Sequence, residues 1–372
     1  MLSQLYFSLI AASAVLTPFL MAGPAAASTA NRISTPTVHE NIAVYFVHGP
    51  SSSGPIPATL QEALARGDVE VVETGNVREL QIENKGTEPV FVQFGDLVKG
   101  GKQDRVLTVS LVLPPKSGRV PIGSYCVEQG RWAARGTEDV RKFSMSDSMM
   151  PSREAKIAMA KPAAKVAEST PEALMAERPN LANRIPQGAA NQRVMQQRQG
   201  APDGQSEVWR NVGVMQSALA GHLASPVSSE KSRTSLQLAL ENEKLKDAIG
   251  AYVGALEPAG QKADDIVGVV IAVNGRVSSA DVYPSNGLFR KMWPKLVRAG
   301  VTEALATKTA KADAAPAPAD VDAFLADAEK GKQSELALGS HAKLETRDAD
   351  KSLRVEARTA AGALVHRNYL AK

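Results

Sequence analysis

Residues 95–132 read GDLVKGGKQDRVLTVSLVLPPKSGRVPIGSYCVEQGRW and include the one cysteine of the chain, Cys126. In Arg105–Leu113 the odd positions from 107 onward are apolar, which is the two-residue period of a half-buried strand. A Pro-Pro pair and a glycine then signal a turn, and Arg119–Glu128 has the pattern of a second strand. The sequence therefore predicts a β-hairpin at this point, with Arg105 and Glu128 both on its inward side.

Two charges on the inward side of a hairpin need partners, because burying an unpaired ion costs several kcal/mol. The nearest candidates in the sequence for Arg105 and Glu128 are each other, Asp96 and Arg131. We therefore expect the ion pairs to form among these four residues.

The same stretch offers a candidate ligand site. A guanidinium group binds carboxylate or phosphate in a bidentate manner, and Trp132 beside Arg131 offers a stacking face. Structural ion pairing at a strand end fits these residues as well, and Cys126 also fits a buried packing role. A phosphate loop is not indicated, because Gly101 displaces the lysine and Gln103 follows it. The candidate ligand-binding residues are Lys102, Gln103, Arg105, Cys126, Glu128, Arg131 and Trp132.

The runs GDLVKGGKQDRVL and SYCVEQGRW resemble the central motifs of the ADP-ribosylglycohydrolase- and rhodanese-phosphatase-associated protein domain, a bacterial family. The likeness extends from ENIAVYFVHGP to FRKMWPKLVRAGVTEAL, so it covers most of Glu40–Ala306. The family name records an association with ADP-ribose and phosphatase chemistry, and the resemblance implies a fold more firmly than an activity. One departure is Asp104, where the family pattern has an asparagine after KQ.

The first 27 residues contain no charged side chain, are apolar from Leu5 to Met21, and end in Ala25-Ala26-Ala27. This is the pattern of a secretory signal peptide cleaved near Ala27, although its first residues lack the usual Lys or Arg. A retained membrane anchor is the competing interpretation. Cleavage predicts a periplasmic or secreted protein that is not embedded in the membrane.

The overall composition excludes several classes of partner. The 372 residues carry 43 basic and 39 acidic side chains, a formal charge of +4, and 5% aromatic residues. The positive charges are dispersed, so nucleic-acid binding is not predicted. One cysteine cannot form an internal disulfide, and no Cys/His cluster has the ligand spacing of a zinc site. We predict no metal and no cofactor; His39 and His48 are interpreted as solvated or edge-capping residues.

Two regions follow the leader. Residues 28–135 are predicted to be the β-rich first half of the domain, with short strands and one helix ending near Gly67. Residues 136–205 shift to Ala, Met, Gln, Pro and Arg, which predicts a low-complexity mobile insertion. Within it, Ser152–Ala160 fits a short helix, and Pro162 and later prolines are expected to end any longer element. The methionines of this segment are spaced irregularly, and the segment contains no histidine, so a loop is favoured over a copper site.

Residues 206–312 are predicted to form helices at 206–224, 229–256 and 286–306, with a hairpin around Asn274-Gly275. Ser229 is predicted to cap the second of these helices. Residues 313–372 are expected to hold a linker, a short helix and terminal strands. Together these elements predict an α+β fold, with a mostly antiparallel β-sandwich-like core and packed helices.

Three functions remain open at this point. The first is an exported, non-catalytic binding module with a polar cleft for an anionic or nucleotide-derived ligand similar to ADP-ribose. The second is a hydrolase that uses Glu128 or Asp281 as general base, which would require carboxylates that converge on one point. The third is an envelope interaction protein that acts through residues 136–205.

Overall fold

The computed structural model describes residues 31–168, 204–309, 313–339 and 341–372. The strands of these residues are β1 Arg32–Ile33, β2 Thr37–His39, β3 Ile42–His48, β4 Ala58–Thr59, β5 Val69–Glu73, β6 Glu79–Asn84, β7 Val90–Val92, β8 Asp96–Gly100, β9 Arg105–Leu107, β10 Leu111–Leu113, β11 Gly118–Cys126, β12 Phe143–Met149, β13 Ile266–Val273, β14 Arg276–Val282, β15 Lys332–Leu338, β16 Ala342–Asp348, β17 Ser352–Thr359 and β18 Leu364–Ala371. The helices are α1 Leu60–Arg66, α2 Arg153–Glu168, α3 Gly204–His222, α4 Leu236–Leu240, α5 Glu243–Leu256, α6 Asn286–Ala306 and α7 Pro318–Ala328, with a 3₁₀ turn at Glu257–Gln261.

Nine strands form the largest sheet, in the order β1-β3-β13-β14-β18-β17-β16-β15 with β2 also paired to β3. All of its neighbouring strands are antiparallel. The predicted Asn-Gly hairpin joins β13 to β14, and Asn274 and Gly275 both have positive φ, 49° and 73°, as a type I′ turn requires. The predicted terminal strands are part of this sheet.

Helices cover both faces of this sheet, which explains why β3 and β13 are apolar at nearly every position. On one face Phe46 and Val269 share a core with α5 and α6, where Trp293 is fully buried. On the other face Tyr45 and Val270 pack with residues of α7. The α+β class predicted from the sequence is confirmed.

The predicted hairpin of Arg105–Leu113 with Arg119–Glu128 is correct only in its first part. β9 pairs with β11 in a six-stranded sheet of order β12-β8-β9-β11-β6-β5. β10 instead leaves that sheet and pairs with β7 in a three-stranded sheet of order β10-β7-β4. The chain changes sheet at 108–110, where the Ser110 hydroxyl accepts the backbone N–H of Phe94 at 2.8 Å and contacts His366.

The helix predicted at 229–256 is two helices, α4 and α5, because Asn242 interrupts it. The Asn242 side chain accepts the N–H of Leu245 and caps α5, while Ser235 caps α4 in the same way. The predicted cap at Ser229 lies in a turn before either helix. The helices predicted at 206–224 and 286–306 correspond to α3 and α6, and α6 continues through Pro294.

Within the predicted insertion, 136–205, the structure places β12 and α2, and β12 pairs with β8. α2 extends through Pro162 to Glu168, so this proline does not end it as expected. The leader 1–27 and residues 169–203 lie outside the described residues. Among the described helices, none has both the length and the apolar character needed to cross a bilayer.

Candidate functional site

The seven residues predicted as a ligand site meet in space around the β9–β11 pair. Arg105 lies opposite Cys126 in the register of these strands, and its guanidinium contacts the Cys126 Sγ at 2.7 Å. The ion-pair partner of Arg105 is Glu73, at 3.1 Å. The expectation that this partner would be Glu128 or Asp96 was wrong, because Glu73 comes from the end of β5, 32 residues earlier in the chain.

Glu128 takes its charge partners from the loop that follows it. Arg131 contacts the Glu128 carboxylate at 2.8 Å, and Arg135 approaches the same carboxylate at 3.6 Å. Arg135 also holds Asp104 through two hydrogen bonds of 2.8 and 3.0 Å, and Ser235 donates a third at 2.7 Å. The acid at position 104, where the family pattern has an asparagine, is therefore matched by a buried arginine.

This group of residues is a closed ion-pair cluster. Its three arginines contact four carboxylates, and with Lys102 beside them the charges balance. Arg105, Cys126 and Glu128 are each 0% exposed, and burial raises the pKa of the Cys126 thiol to about 11 even though Arg105 lies beside it. The ligand role predicted for the seven residues stays a prediction, and their geometry favours pairing within the protein.

One side of the cluster reaches the surface at Trp132, which is 44% exposed. The Lys102 ammonium lies 4.9 Å from the centre of the indole ring and the Arg105 guanidinium 5.6 Å from it. Both distances are within the range of a cation–π interaction. The stacking face that the sequence offered is therefore in contact with cations of the chain itself.

Asp281, the second candidate general base, lies in a separate buried network. Its Oδ1 atom is 3.0 Å from His366 Nε2, and Asn368 donates to the same oxygen at 3.0 Å. The other ring nitrogen of His366 lies 3.0 Å from the Ser110 hydroxyl. Burial acts to raise the pKa of Asp281, but the His366 contact outweighs it and the pKa is lowered.

Ser110, His366 and Asp281 thus form the chain of contacts found in many hydrolases, but each is only about 2% exposed. The serine hydroxyl is also occupied by the N–H of Phe94. A general base must reach the proton that it abstracts, and Glu128 and Asp281 are both enclosed. This geometry favours a structural role for the two networks.

An open cavity of about 330 Å³ lies at the end of β12. Between Met145 and Met149 the register of β12 with β8 shifts, as at a β-bulge, and this segment lines the cavity together with residues of α4, α5 and α6. Ser146 stabilises the bulge by accepting the N–H of Ser148 and donating to Gln237 at 2.6 Å. The lining includes apolar residues of all three helices, namely Leu240, Ile249, Val253 and Ala299.

The charged residues of this cavity differ in how they are paired. Glu241 is held by two hydrogen bonds from Lys99, of 2.7 and 2.9 Å, and Asp147 by one from Gln61. Lys246 and Arg298 are exposed lining residues that form no ion pair with any described residue. Lys246 acts on the Glu241 charge only at longer range, without a direct salt bridge. Two cations without a direct ion pair beside an apolar wall are suited to a ligand with an anionic group.

The two histidines considered for metal binding lie apart. His48 contacts Asp265 at 2.7 Å, and the His39 ring packs on the edge of Tyr252. Among the described residues there is no group of three His, Cys, Asp or Glu side chains that could hold a metal ion.

Sequence reasoning missed the cavity, and the residues concerned show why. Lys246 and Arg298 stand in predicted helices with no motif around them, and residues 145–149 fall in the predicted insertion. The alternation of serine with other residues in FSMSDSMM was the available signal of a strand, but its bulge is not visible in the sequence. His366 stood in a predicted terminal strand, with no indication that it would reach Asp281.

The fold and these sites define an α+β domain with two buried polar networks and a solvent-open cavity. The chain belongs to the family described as the ARG and Rhodanese-Phosphatase-superfamily-associated Protein domain, whose model matches residues 30–370. The resemblance seen in the central motifs is thereby confirmed over residues 30–370. Neither the curated proteins nor the solved structures contain a match.

Proposed function

We propose that this chain is an exported, non-catalytic binding module for a small organic anion, and that the ligand occupies the cavity at the end of β12. The proposal is carried by the pair Lys246 and Arg298, which lie at a cavity of about 330 Å³ without an ion-pair partner among the described residues. A cavity of this size is within the range of small-molecule sites.

The lining supports a ligand with two chemical parts. Leu240, Ile249 and Val253 provide an apolar wall, while Gln237 and Thr302 add polar groups beside it. Glu241 is also in the lining, but Lys99 already neutralises it. An anion with an apolar or planar body, such as a phosphate ester or a nucleotide, matches this combination of charge and wall.

The family name supports a choice of test ligands. It associates the domain with ARG and with the rhodanese-phosphatase superfamily, so ADP-ribose, nucleotides and sugar phosphates are the first candidates. Binding rather than hydrolysis is proposed because the carboxylates considered as general bases, Glu128 and Asp281, are enclosed and hydrogen-bonded.

The test is a thermal-shift screen of the purified chain against ADP-ribose, nucleotides, sugar phosphates and inorganic phosphate, followed by calorimetric titration of each hit. A ligand at one hundred times its Kd adds about 2.7 kcal/mol to the free energy of unfolding, which is a clear shift. Arg298→Ala and Lys246→Ala should each weaken binding about tenfold, the effect of losing roughly 1.4 kcal/mol. Arg210→Ala removes an exposed arginine of α3 outside the cavity and serves as the control.

Gly250 gives a second, independent test. It lines the cavity from α5, and a Cβ at this position would have no atom within 4 Å. Gly250→Trp should therefore fill the cavity and abolish binding without disturbing the fold. Gly213→Trp places the same side chain on α3, outside the cavity and where a Cβ also has open space, and should leave binding unchanged. Equal binding by both tryptophan variants would exclude this cavity as the site.

Export is part of the proposal and rests on the uncharged apolar leader that ends in Ala25-Ala26-Ala27. Mass spectrometry of the protein from a periplasmic extract should find a mature N-terminus near Ser28. A chain that retains Met1 in the membrane fraction would contradict this part of the proposal.

A further inference from the structure

A second cavity, of about 290 Å³, lies where the three sheets meet. Strands β10 and β11 supply one side, strands β15 and β16 the other, and α2 contributes Met159. None of its lining residues is shared with the cavity at the end of β12. What occupies it is therefore a separate question from the proposed anion site.

Most of the lining is apolar. Open space beside apolar side chains costs stability, because the wall atoms lose dispersion contacts and gain none from a partner. Such a cavity is suited to an apolar guest. The apolar lining residues are Val109, Leu111, Val120, Pro121, Met159, Leu336, Leu338 and Leu344.

One polar group in this lining lacks a partner. The Ser124 hydroxyl is shielded from solvent and has no hydrogen-bond partner among the described residues, and the residue is 2% exposed. Leaving a buried hydroxyl unsatisfied costs about 1–3 kcal/mol. The Ser124 N–H bonds the carbonyl of Arg78, so the backbones of these two lining residues are adjacent.

The charge of the lining indicates the polar group of the guest. Arg78 and His341 are its basic residues, and no carboxylate is among the residues that line it. The Ser124 hydroxyl can donate a hydrogen bond, and a carboxylate is a strong acceptor. A volume of 290 Å³ has room for about ten water-sized groups, at about 30 Å³ each.

We propose that this cavity binds a medium-chain monocarboxylate, with its alkyl chain against the leucines of β10, β15 and β16 and its carboxylate hydrogen-bonded to Ser124. A chain of about eight carbons fills the space estimated above. The site gives the protein a second ligand class, which binds independently of the proposed anion site.

The experiment is calorimetric titration of the full chain with octanoate, with acetate and 1-octanol as comparisons. Octanoate should bind at one site per protein molecule. Acetate should not bind because it lacks the alkyl chain, and 1-octanol should bind more weakly because it lacks the negative charge. Failure of octanoate to bind at millimolar concentration, or equal affinity for 1-octanol, would overturn the proposal.

Three variants locate the site. Ser124→Ala should weaken octanoate binding about tenfold, since a hydrogen bond to a charged group is worth at least that factor. The same variant should unfold no more easily than the wild type without ligand, because the hydroxyl has no partner to lose. Leu338→Trp should fill the cavity and abolish binding, while Ala337→Trp, on the opposite side of the same edge strand, should not.

For each variant there is also a result that would contradict the proposal. If Leu338→Trp binds octanoate as the wild type does, the ligand lies elsewhere. If Ser124→Ala binds with unchanged affinity, the carboxylate is not bound to this hydroxyl and the assignment is wrong. Octanoate is itself an anion with an apolar body, so Arg298→Ala decides which cavity holds it. This variant should weaken binding of the phosphorylated anion and leave octanoate affinity unchanged; a loss of octanoate affinity would overturn the proposal.

Discussion

Arg105 forms its ion pair with Glu73, at 3.1 Å, and both side chains are shielded from solvent. The two residues lie in strands that are not neighbours, since β11 and β6 separate β9 from β5 in the sheet order. The contact therefore joins the two halves of the six-stranded sheet.

The Arg105–Glu73 contact predicts a large effect for one substitution. Arg105→Met should lower the free energy of unfolding by about 3–5 kcal/mol, because it leaves Glu73 as a buried and unpaired charge. Urea denaturation measures this value. The double variant Arg105→Met/Glu73→Gln should recover part of the loss, since it removes both charges. Arg119→Ala, at a side chain that is 59% exposed, should change stability by less than about 0.5 kcal/mol.

Arg131 and Trp132 are neighbours in sequence, but the structure predicts different effects for them. The Arg131 side chain is 11% exposed and bonds Glu128 and the carbonyls of Gly100 and Gly101. Arg131→Ala should cost about 3 kcal/mol or more, because Glu128 loses a close partner. Trp132→Ala should stay within about 1 kcal/mol, since the ring is largely exposed. Similar losses for both variants in thermal denaturation would contradict this difference.

Local sequence patterns predicted the strands, turns and helices more accurately than they predicted the contacts between residues distant in the sequence. The strand Ile42–His48, the Asn274-Gly275 hairpin and the helix Asn286–Ala306 depend on period and turn chemistry, which neighbouring residues determine. The pairing of Arg105 with Glu73 and of Asp281 with His366 depends on strand order, which no local pattern contains. The change of sheet between Leu107 and Leu111 was hidden for the same reason, because both strands share one apolar period.

Asn242 separates α4 from α5 and so shapes the wall of the cavity at the end of β12. Asn242→Ala should lower the free energy of unfolding by about 1 kcal/mol, the usual effect of losing an N-cap. Ser229→Ala is the matched control, because sequence placed a cap at Ser229 and the structure does not. Chemical denaturation measures the free energy of unfolding of both variants. The result decides between one helix over residues 229–256 and the two helices α4 and α5. A larger loss for Ser229→Ala would favour the single helix.

Glu303 predicts a pH-dependent stability. Burial raises the pKa of its carboxyl above the ordinary 4.5, although Ser278 donates a hydrogen bond to it. A raised folded-state pKa means that its stabilising contribution is complete below about pH 4.5 and is lost as the pH rises through the folded pKa. The stability of Glu303→Gln relative to wild type should therefore increase from pH 4.5 upward.

Asp281 gives the opposite trend and serves as the comparison. Its pKa is lowered in the folded state despite its burial, so its contribution is present above the unfolded pKa near 3.8 and is lost as the pH falls through the folded pKa. Asp281→Asn should be less stable than wild type at neutral pH, and this difference should shrink as the solution is acidified. Urea denaturation between pH 3 and 8 tests both variants; differences that do not vary with pH would contradict the two pKa directions.

The position of β18 has a consequence for synthesis of the protein. This strand lies between β14 and β17 in the interior of the nine-stranded sheet, and it carries the histidine that contacts Asp281 and Ser110. A ribosome adds about 5–20 residues per second, so β14 emerges several seconds before its neighbour exists. During that interval the edge of β14 is unpaired and available to other extended chains. Nascent chains that lack residues 364–371 should therefore require a chaperone to prevent aggregation.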